Sequence, residues 1–311
     1  AQANELNKAG LASIFADMMT EDTKNYTAEQ MEVELQKIGS FLSVSSGVDG
    51  ITYTATTLKK NLDRTLQLMQ ERLLNPKFTE DAFTRTKKQI LESFKAQKAQ
   101  PAAVADDVFA KVNYGANNIL GISQSGTEET VKNITLADVE NYYKNYMTAT
   151  NAKLVVVGAV TEGEILPKMT FLDKLPRKKI TLAKVPAPLP QQKNTVYLVD
   201  VPKGAQSEFR VGYVTGLKYD ATGDYYKAYL TNWPLGGAFN SRINLNLRED
   251  KGWTYGARSF FSGDQYTGEY EFSSGIKVGA TDSALMEVVT EMRNYAQSGP
   301  SADEVSFMKS A

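Results

Sequence analysis

The chain has 311 residues, 42% apolar and 23% charged, with a formal net charge of −1 and neither cysteine nor histidine. Such a chain is globular and long enough for two domains of roughly 150 residues. It excludes disulfides, thiolate and imidazole metal ligands, a cysteine nucleophile and any triad built on histidine, and its near-neutral charge argues against nucleic-acid or anionic-membrane partners.

In chain order, Ala1–Lys8 shows no signal-peptide pattern and opens directly onto a helix. Apolar spacing over residues 10–19 predicts a buried helix. Thr27-Ala-Glu-Gln30 is a capping box opening a second helix that runs to Ile38 and stops at Gly39. Phe41–Ser45 and Ile51–Thr57 alternate as a hairpin around Gly47–Gly50. A helix follows over residues 60–74, with Leu62, Leu66, Met69 and Leu73 on one face. Asn75-Pro76 breaks it, and Thr79 caps a long helix to about Lys98. Ala102–Tyr114 reads as helical, Thr135-Leu-Ala-Asp138 caps a helix ending near Tyr146, and Lys153–Gly158 is a β-rich run. No apolar run approaches the roughly 18 residues of a membrane span.

Residues 176–194, with prolines at 176, 186, 188 and 190, read as a linker. Beyond it, Thr195–Val201 and Ser207–Val214 read as strands. Tyr225–Trp233 and Ser241–Leu247 read as helices, the second introduced by Leu235-Gly-Gly-Ala-Phe-Asn240. The end, from Ser301, reads as an N-cap and the first two turns of a helix, so both termini look cut from something longer.

The order of signals repeats. Gly39-Ser-Phe-Leu, followed by Gly47 to Ala55, matches Gly252-Trp-Thr-Tyr, followed by Gly263 to Phe272. Each is followed by an amphipathic helix (60–74; 282–297), a proline break (Pro76; Pro300) and a capped helix (Thr79; Ser301). Duplication of one α/β unit accounts for this order.

Arg248 and Tyr255 straddle Gly252 where an amphipathic helix gives way to an alternating strand. On one reading Arg248 pairs with Glu249 or Asp250 and Tyr255 packs in the sheet. On the other, the guanidinium holds a substrate carbonyl and the phenol donates to a developing oxyanion. Leu235–Ser241 is either a flexible loop whose Asn240 or Ser241 caps the next helix, or a loop presenting backbone N–H groups to a ligand. It has neither a Walker lysine nor G-x-G-x-x-G, so phosphate is not the expected ligand. Asp17 and Glu92 read as ordinary helix-face acids.

Together these segments resemble the pitrilysin family of zinc peptidases, the inverzincins, which includes insulin-degrading enzyme and mitochondrial processing peptidase. The resemblance covers nearly the whole chain. Family catalytic units carry Gly-x-x-His-x-x-Glu-His on a helix and a distal glutamate as third metal ligand. On Gly10-Leu-Ala-Ser-Ile-Phe-Ala-Asp17, Ser13 stands at the first histidine, Ala16 at the glutamate base and Asp17 at the second histidine. Glu92, 75 positions after Asp17, stands at the distal glutamate. One ligand of three and no base cannot make a zinc hydrolase. Leu235-Gly-Gly-Ala-Phe-Asn-Ser-Arg242, then Leu247-Arg-Glu and Gly252-Trp-Thr-Tyr255-Gly, is similar to the family's glycine loop and arginine–tyrosine element.

The resemblance implies an α+β fold: two homologous units, each a mostly antiparallel sheet with helices packed on one face. Residues 1–178 would be a degenerate peptidase-like unit truncated at its N-terminus, and 179–311 a second unit truncated at its C-terminus. It also implies that Tyr255 stabilises the tetrahedral intermediate, that Arg248 holds the substrate backbone, and that Gly236, Gly237 and Asn240 help bind substrate. No metal is expected in this chain. Zinc, with the water it activates, is expected on a partner half or subunit bearing His-x-x-Glu-His, acting on a peptide or unfolded protein. Two rivals remain: a non-catalytic scaffold or peptide-binding subunit, and a self-sufficient hydrolase using Asp17 and Glu92. Because large bacterial relatives are often exported, the resemblance leans towards the periplasm.

Overall fold

In the computed structural model, which describes residues 5–181, 183–188, 194–202 and 204–310, helix α1 (Leu11–Met18) starts at Gly10 with φ of 94°. A side chain at Gly10 would meet the Ser125 carbonyl oxygen at 2.6 Å, so both the backbone and the close approach demand glycine there. Ile14, Phe15 and Met18 of α1 are fully buried with Phe83, Phe94, Val131 and Ile134 in the main core of the first unit. Helix α2 (Ala28–Lys37) is opened by both halves of the Thr27–Gln30 capping box and ends before Gly39, whose φ is 57°. Strands β1 (Phe41–Gly47) and β2 (Gly50–Thr56) then pair antiparallel, from Gly47 opposite Gly50 to Phe41 opposite Thr56.

Helix α3 (Leu62–Leu74) stops at the Asn75-Pro76 break, and Pro76 bridges to Thr23. Arg72 of α3 is 2% exposed and donates to the Leu42 carbonyl at 3.2 Å and to Glu32 at 3.1 Å, tying α3 to β1 and α2. Helices α4 (Glu80–Lys98) and α5 (Pro101–Tyr114) follow. Next come α6 (Glu128–Lys132), α7 (Leu136–Tyr146) and α8 (Glu162–Ile165), each opened by a threonine capping box at Thr127, Thr135 and Thr161.

A second sheet is formed by β3 (Gln206–Val214), β4 (Thr254–Gly263) and β5 (Gly268–Lys277), antiparallel in the order β3-β5-β4. Between β3 and β4 lie α9 (Asp224–Asn232) and the short α10 (Arg242–Asn244), each running on into a π-helical turn, Trp233–Gly237 and Leu245–Asp250. Helices α11 (Thr281–Ser298) and α12 (Ala302–Ser310) complete the order. Phe272 and Ile276 of β5 bury one face of this sheet against Ile243, Leu247, Ala284 and Val288. Together the two units bear out the mixed α and β class with antiparallel sheets. The hairpin β4–β5 with α11 repeats the order of β1–β2 with α3, and Gly252, with φ of 60°, stands where Gly39 does.

The two compact units are Ala1–Lys95 with Ile122–Lys184, and Ala96–Gly121 with Val185–Ala311. This differs from a single cut at 178/179, because α5 packs on the second sheet. Arg210 of β3 is paired with Asp106 of α5 at 2.5 Å, and Tyr114 donates to Glu269 at 3.1 Å. Phe109 lies against Gly212, where a Cβ would come within 3.0 Å of its ring. Pairings with residues about a hundred positions away leave no local trace in the sequence.

Two predicted strands are not formed. Among the described residues, 153–158 and 195–201 lie in no strand, with Val157 93% and Leu198 92% exposed. A β-rich run makes a strand only where a neighbouring strand pairs with it. Of the predicted linker, Leu182 and residues 189–193 lie outside the described residues.

Under α5, burial pushes the Glu271 carboxyl up to about 7. Arg210 at 3.4 Å pulls it down, and Glu269 and Asp106 push it up. A carboxyl raised in the folded state stabilises fully below its ordinary value near 4.5 and loses that contribution as pH rises through 7. Glu271→Gln should therefore raise thermal stability relative to wild type by an amount that grows between pH 4.5 and 7. A pH-independent difference in melting temperature would contradict this.

Candidate functional site

Asn232 ends α9 just before the Trp233–Gly237 turn, and its side chain is buried against β4. It donates to the Ser259 carbonyl at 2.7 Å and accepts from the Ser259 hydroxyl at 2.8 Å. The turn lies so close to β4 that a Cβ on Gly236 would stand 2.1 Å from Ser259 Oγ. Gly236 is thus buried for packing, Gly237 is half-buried beside Trp233, and Asn240 is exposed. Ser241 is the N-cap of α10 by backbone conformation, without a side-chain cap bond.

Asn244, 3% exposed, closes the next step. Its Nδ2 donates to the Phe239 carbonyl at 2.8 Å, and its Oδ1 accepts the Ala257 N–H at 2.9 Å. One turn further, Arg248 has its guanidinium carbon 4.5 Å from the centre of the Phe239 ring, a cation–π contact. Its Nη1 lies 3.4 Å from Glu249, so the expected pairing with Glu249 is present beside the aromatic one.

Gly252 then turns the chain into β4, where the register slips. Thr254 stands opposite Ile276, but Ala257 stands opposite Ser274, leaving one extra residue on β4. Such a bulge re-aims a side chain. Ser274 holds it by donating to Thr254 Oγ1 and to the Gly256 carbonyl, both at 3.0 Å, while Gly256 N–H donates to Thr254 Oγ1 at 3.0 Å. Tyr255, inside the bulge, is 92% exposed rather than packed in the sheet. Its counterpart in the first hairpin, Leu42, lies in an unbroken register and is 6% exposed. The second unit therefore presents a cation and a free phenol from the two sides of one glycine turn.

The four positions of the degenerate zinc motif do not form a site. Ser13 shares a hydrogen bond with Ser46 at 2.9 Å and donates to the Gln124 carbonyl at 3.2 Å, so it ties α1 to β1. Ala16 is buried, and Asp17 is exposed. Glu92 has a side chain 60% exposed, with Lys88 at 3.9 Å. Among the described residues no group of three or more His, Cys, Asp and Glu side chains is placed to hold a metal. Zinc does not fit these residues.

Residues 133–311 match the model of the peptidase M16 inactive domain, and residues 2–122 match insulinase, peptidase family M16. The chain belongs to the peptidase M16 family. It is 24% identical over 260 residues to the uncharacterized zinc protease YmxG of Bacillus subtilis, covering 83% of this chain and 62% of that one. It is 23% identical to the non-peptidase homolog YmxG of Helicobacter pylori, covering 98% of this chain and 70% of that one. The chain thus spans less than two-thirds of the Bacillus protein's length. Its fold matches the crystal structure of a peptidase M16 inactive domain from Pseudomonas fluorescens with a TM-score of 0.88 at 22% identity, over 99% of this chain and 75% of that one.

Arg248 and Tyr255 stand out in the sequence by their spacing about Gly252, whereas Asn232 and Asn244 do not. Their signal was available, since asparagine is unfavourable inside helices unless its side chain bonds elsewhere. The neighbouring Arg242 is structural, with its guanidinium forked onto Glu304 at 2.6 and 2.7 Å and stacked on Tyr295 at 4.8 Å. The bonds from Arg242 hold the Glu304 carboxyl down at about 2. An acid lowered in the folded state stabilises above its ordinary value near 4.5 and loses that contribution as pH falls towards 2. Glu304→Gln should therefore lower the melting temperature at pH 7, with the gap to wild type closing between pH 4.5 and 2; a gap unchanged at pH 2.5 would refute the pairing.

Proposed function

We propose that this chain is the non-zinc half of a metalloendopeptidase and lends Tyr255 and Arg248 to peptide-bond hydrolysis at a zinc site on a partner half bearing His-x-x-Glu-His. The observation that carries the reading is the exposed phenol of Tyr255. A bulge lifts it out of the sheet, where the matching residue of the first hairpin, Leu42, is buried. A folded domain gains nothing in core packing from a fully exposed tyrosine.

A phenol hydroxyl donates a hydrogen bond to the oxyanion that forms when the scissile carbonyl becomes tetrahedral, and its full worth appears only in the transition state. The Arg248 guanidinium, braced on the Phe239 ring, keeps donors free for a substrate carbonyl in both ground and transition states. Gly237 and Asn240 border the same loop and help to seat the peptide backbone. The substrate class is an extended, unfolded peptide, because both residues act on backbone oxygens. The first unit contributes scaffold, and this chain alone is inactive. The non-peptidase homolog that covers 98% of this chain favours a second reading, a scaffold or peptide-binding subunit in which the pair is a relic.

In the assembled protease, Tyr255→Phe should lower kcat by about 100-fold or more, in line with the roughly 2.7–4 kcal/mol of an oxyanion donor, with little change in KM. Unchanged turnover would leave the scaffold reading. Arg248→Ala should mainly raise KM, by about tenfold or more for a charge-assisted hydrogen bond. A loss of melting temperature with unaltered kinetics would make Arg248 a purely structural residue.

A further inference from the structure

We propose that Asn244 is a positioning residue for the arginine–tyrosine element, setting the Phe239 loop and the Tyr255 bulge in one geometry. This inference rests on the functional reading of Tyr255 and Arg248 given above.

The pieces it joins are distant in sequence but meet at this side chain. Asn244 donates to the carbonyl of Phe239, the residue whose ring lies under the Arg248 guanidinium. It accepts from the N–H of Ala257, where β4 resumes its register after the slip containing Tyr255. A single amide therefore spans from the support of the cation to the root of the phenol. The primary amide is chemically required, because it must donate on one side and accept on the other. Aspartate can only accept, and leucine can do neither.

The site gives Asn244 little freedom. It is 3% exposed, and both of its bonds go to backbone groups whose directions the surrounding elements fix. Asn232 forms the second rung of the same seam, at Ser259, but reaches neither residue of the pair. It thus serves as an internal comparison: it bonds β4 at Ser259 without reaching the Phe239 carbonyl or the bulge.

The test is a double-mutant cycle in the assembled protease, with a fluorogenic unstructured peptide as substrate. Asn244→Asp keeps the volume and the bond from Ala257 but loses the donor to Phe239. It should cut kcat/KM by about tenfold or more, and this loss should shrink by at least about threefold when Tyr255 is already Phe, as expected of coupled residues. An equal loss in both backgrounds would make Asn244 merely structural and overturn the proposal. Should Asn244→Asp fail to fold, Asn244→Ser decides in the same cycle, because the shorter side chain cannot span from the Phe239 carbonyl to the Ala257 N–H. A loss of kcat/KM that shrinks when Tyr255 is already Phe supports the linkage, and unaltered kinetics overturns it. If Tyr255→Phe by itself leaves turnover untouched, the functional reading fails first. If Tyr255→Phe slows turnover while the Asn244 variants do not, only the positioning role falls.

Discussion

An edge strand has half of its backbone groups facing away from the sheet, and those groups must be bonded to something or left to water. β4 is such a strand, and its outward groups at residues 257, 259 and 261 are met by side chains rather than by another strand. Asn244 takes the Ala257 N–H, Asn232 the Ser259 carbonyl, and Tyr225 reaches the Phe261 carbonyl at 3.3 Å. This seam lets α9, its glycine turn and α10 lie flat along β4. The placement of Gly236, Phe239 and Arg248 depends on it. The seam ends where the bulge begins, and residues 254–256 are held instead by the Thr254 and Ser274 hydroxyls.

The two hairpins differ in register. In the first, the register is regular, Leu42 turns inwards, and buried Arg72 takes the Leu42 carbonyl. In the second, one inserted residue turns Tyr255 outwards, and Ser274 braces the slip. On α1 the change runs the other way. Where a metal-binding helix would carry ligands, Ser13 spends its hydroxyl on Ser46, and Ala16 is packed into the core. The first unit thus spends these positions on packing and hydrogen bonds, while the second exposes Tyr255.

The elements that were legible in the sequence are those specified locally. The threonine caps at Thr27 and Thr135, the Gly47–Gly50 hairpin, the break at Pro76 and the turn at Gly252 are decided within a few residues, and each forms as expected. β-rich composition alone misled at 153–158 and 195–201, since it reports what a strand could bury and not whether a neighbouring strand pairs with it. The membership of α5 was hidden because Asp106 and Tyr114 find their partners at Arg210 and Glu269. At the site, the glycine loop and the arginine–tyrosine spacing were readable as a pattern. The asparagine seam was not, because a lone asparagine carries no spacing. The bulge depends on a register that only the paired strands define.

The proposal of a divided active site makes this chain necessary but insufficient for hydrolysis. The most direct test assays an unfolded fluorogenic peptide with the purified chain, with the zinc-bearing half, and with the two combined. This chain alone should cleave nothing, the zinc-bearing half little, and the two together far more. Cleavage by this chain on its own, or a zinc-bearing half that works equally well without it, would rule out a divided active site.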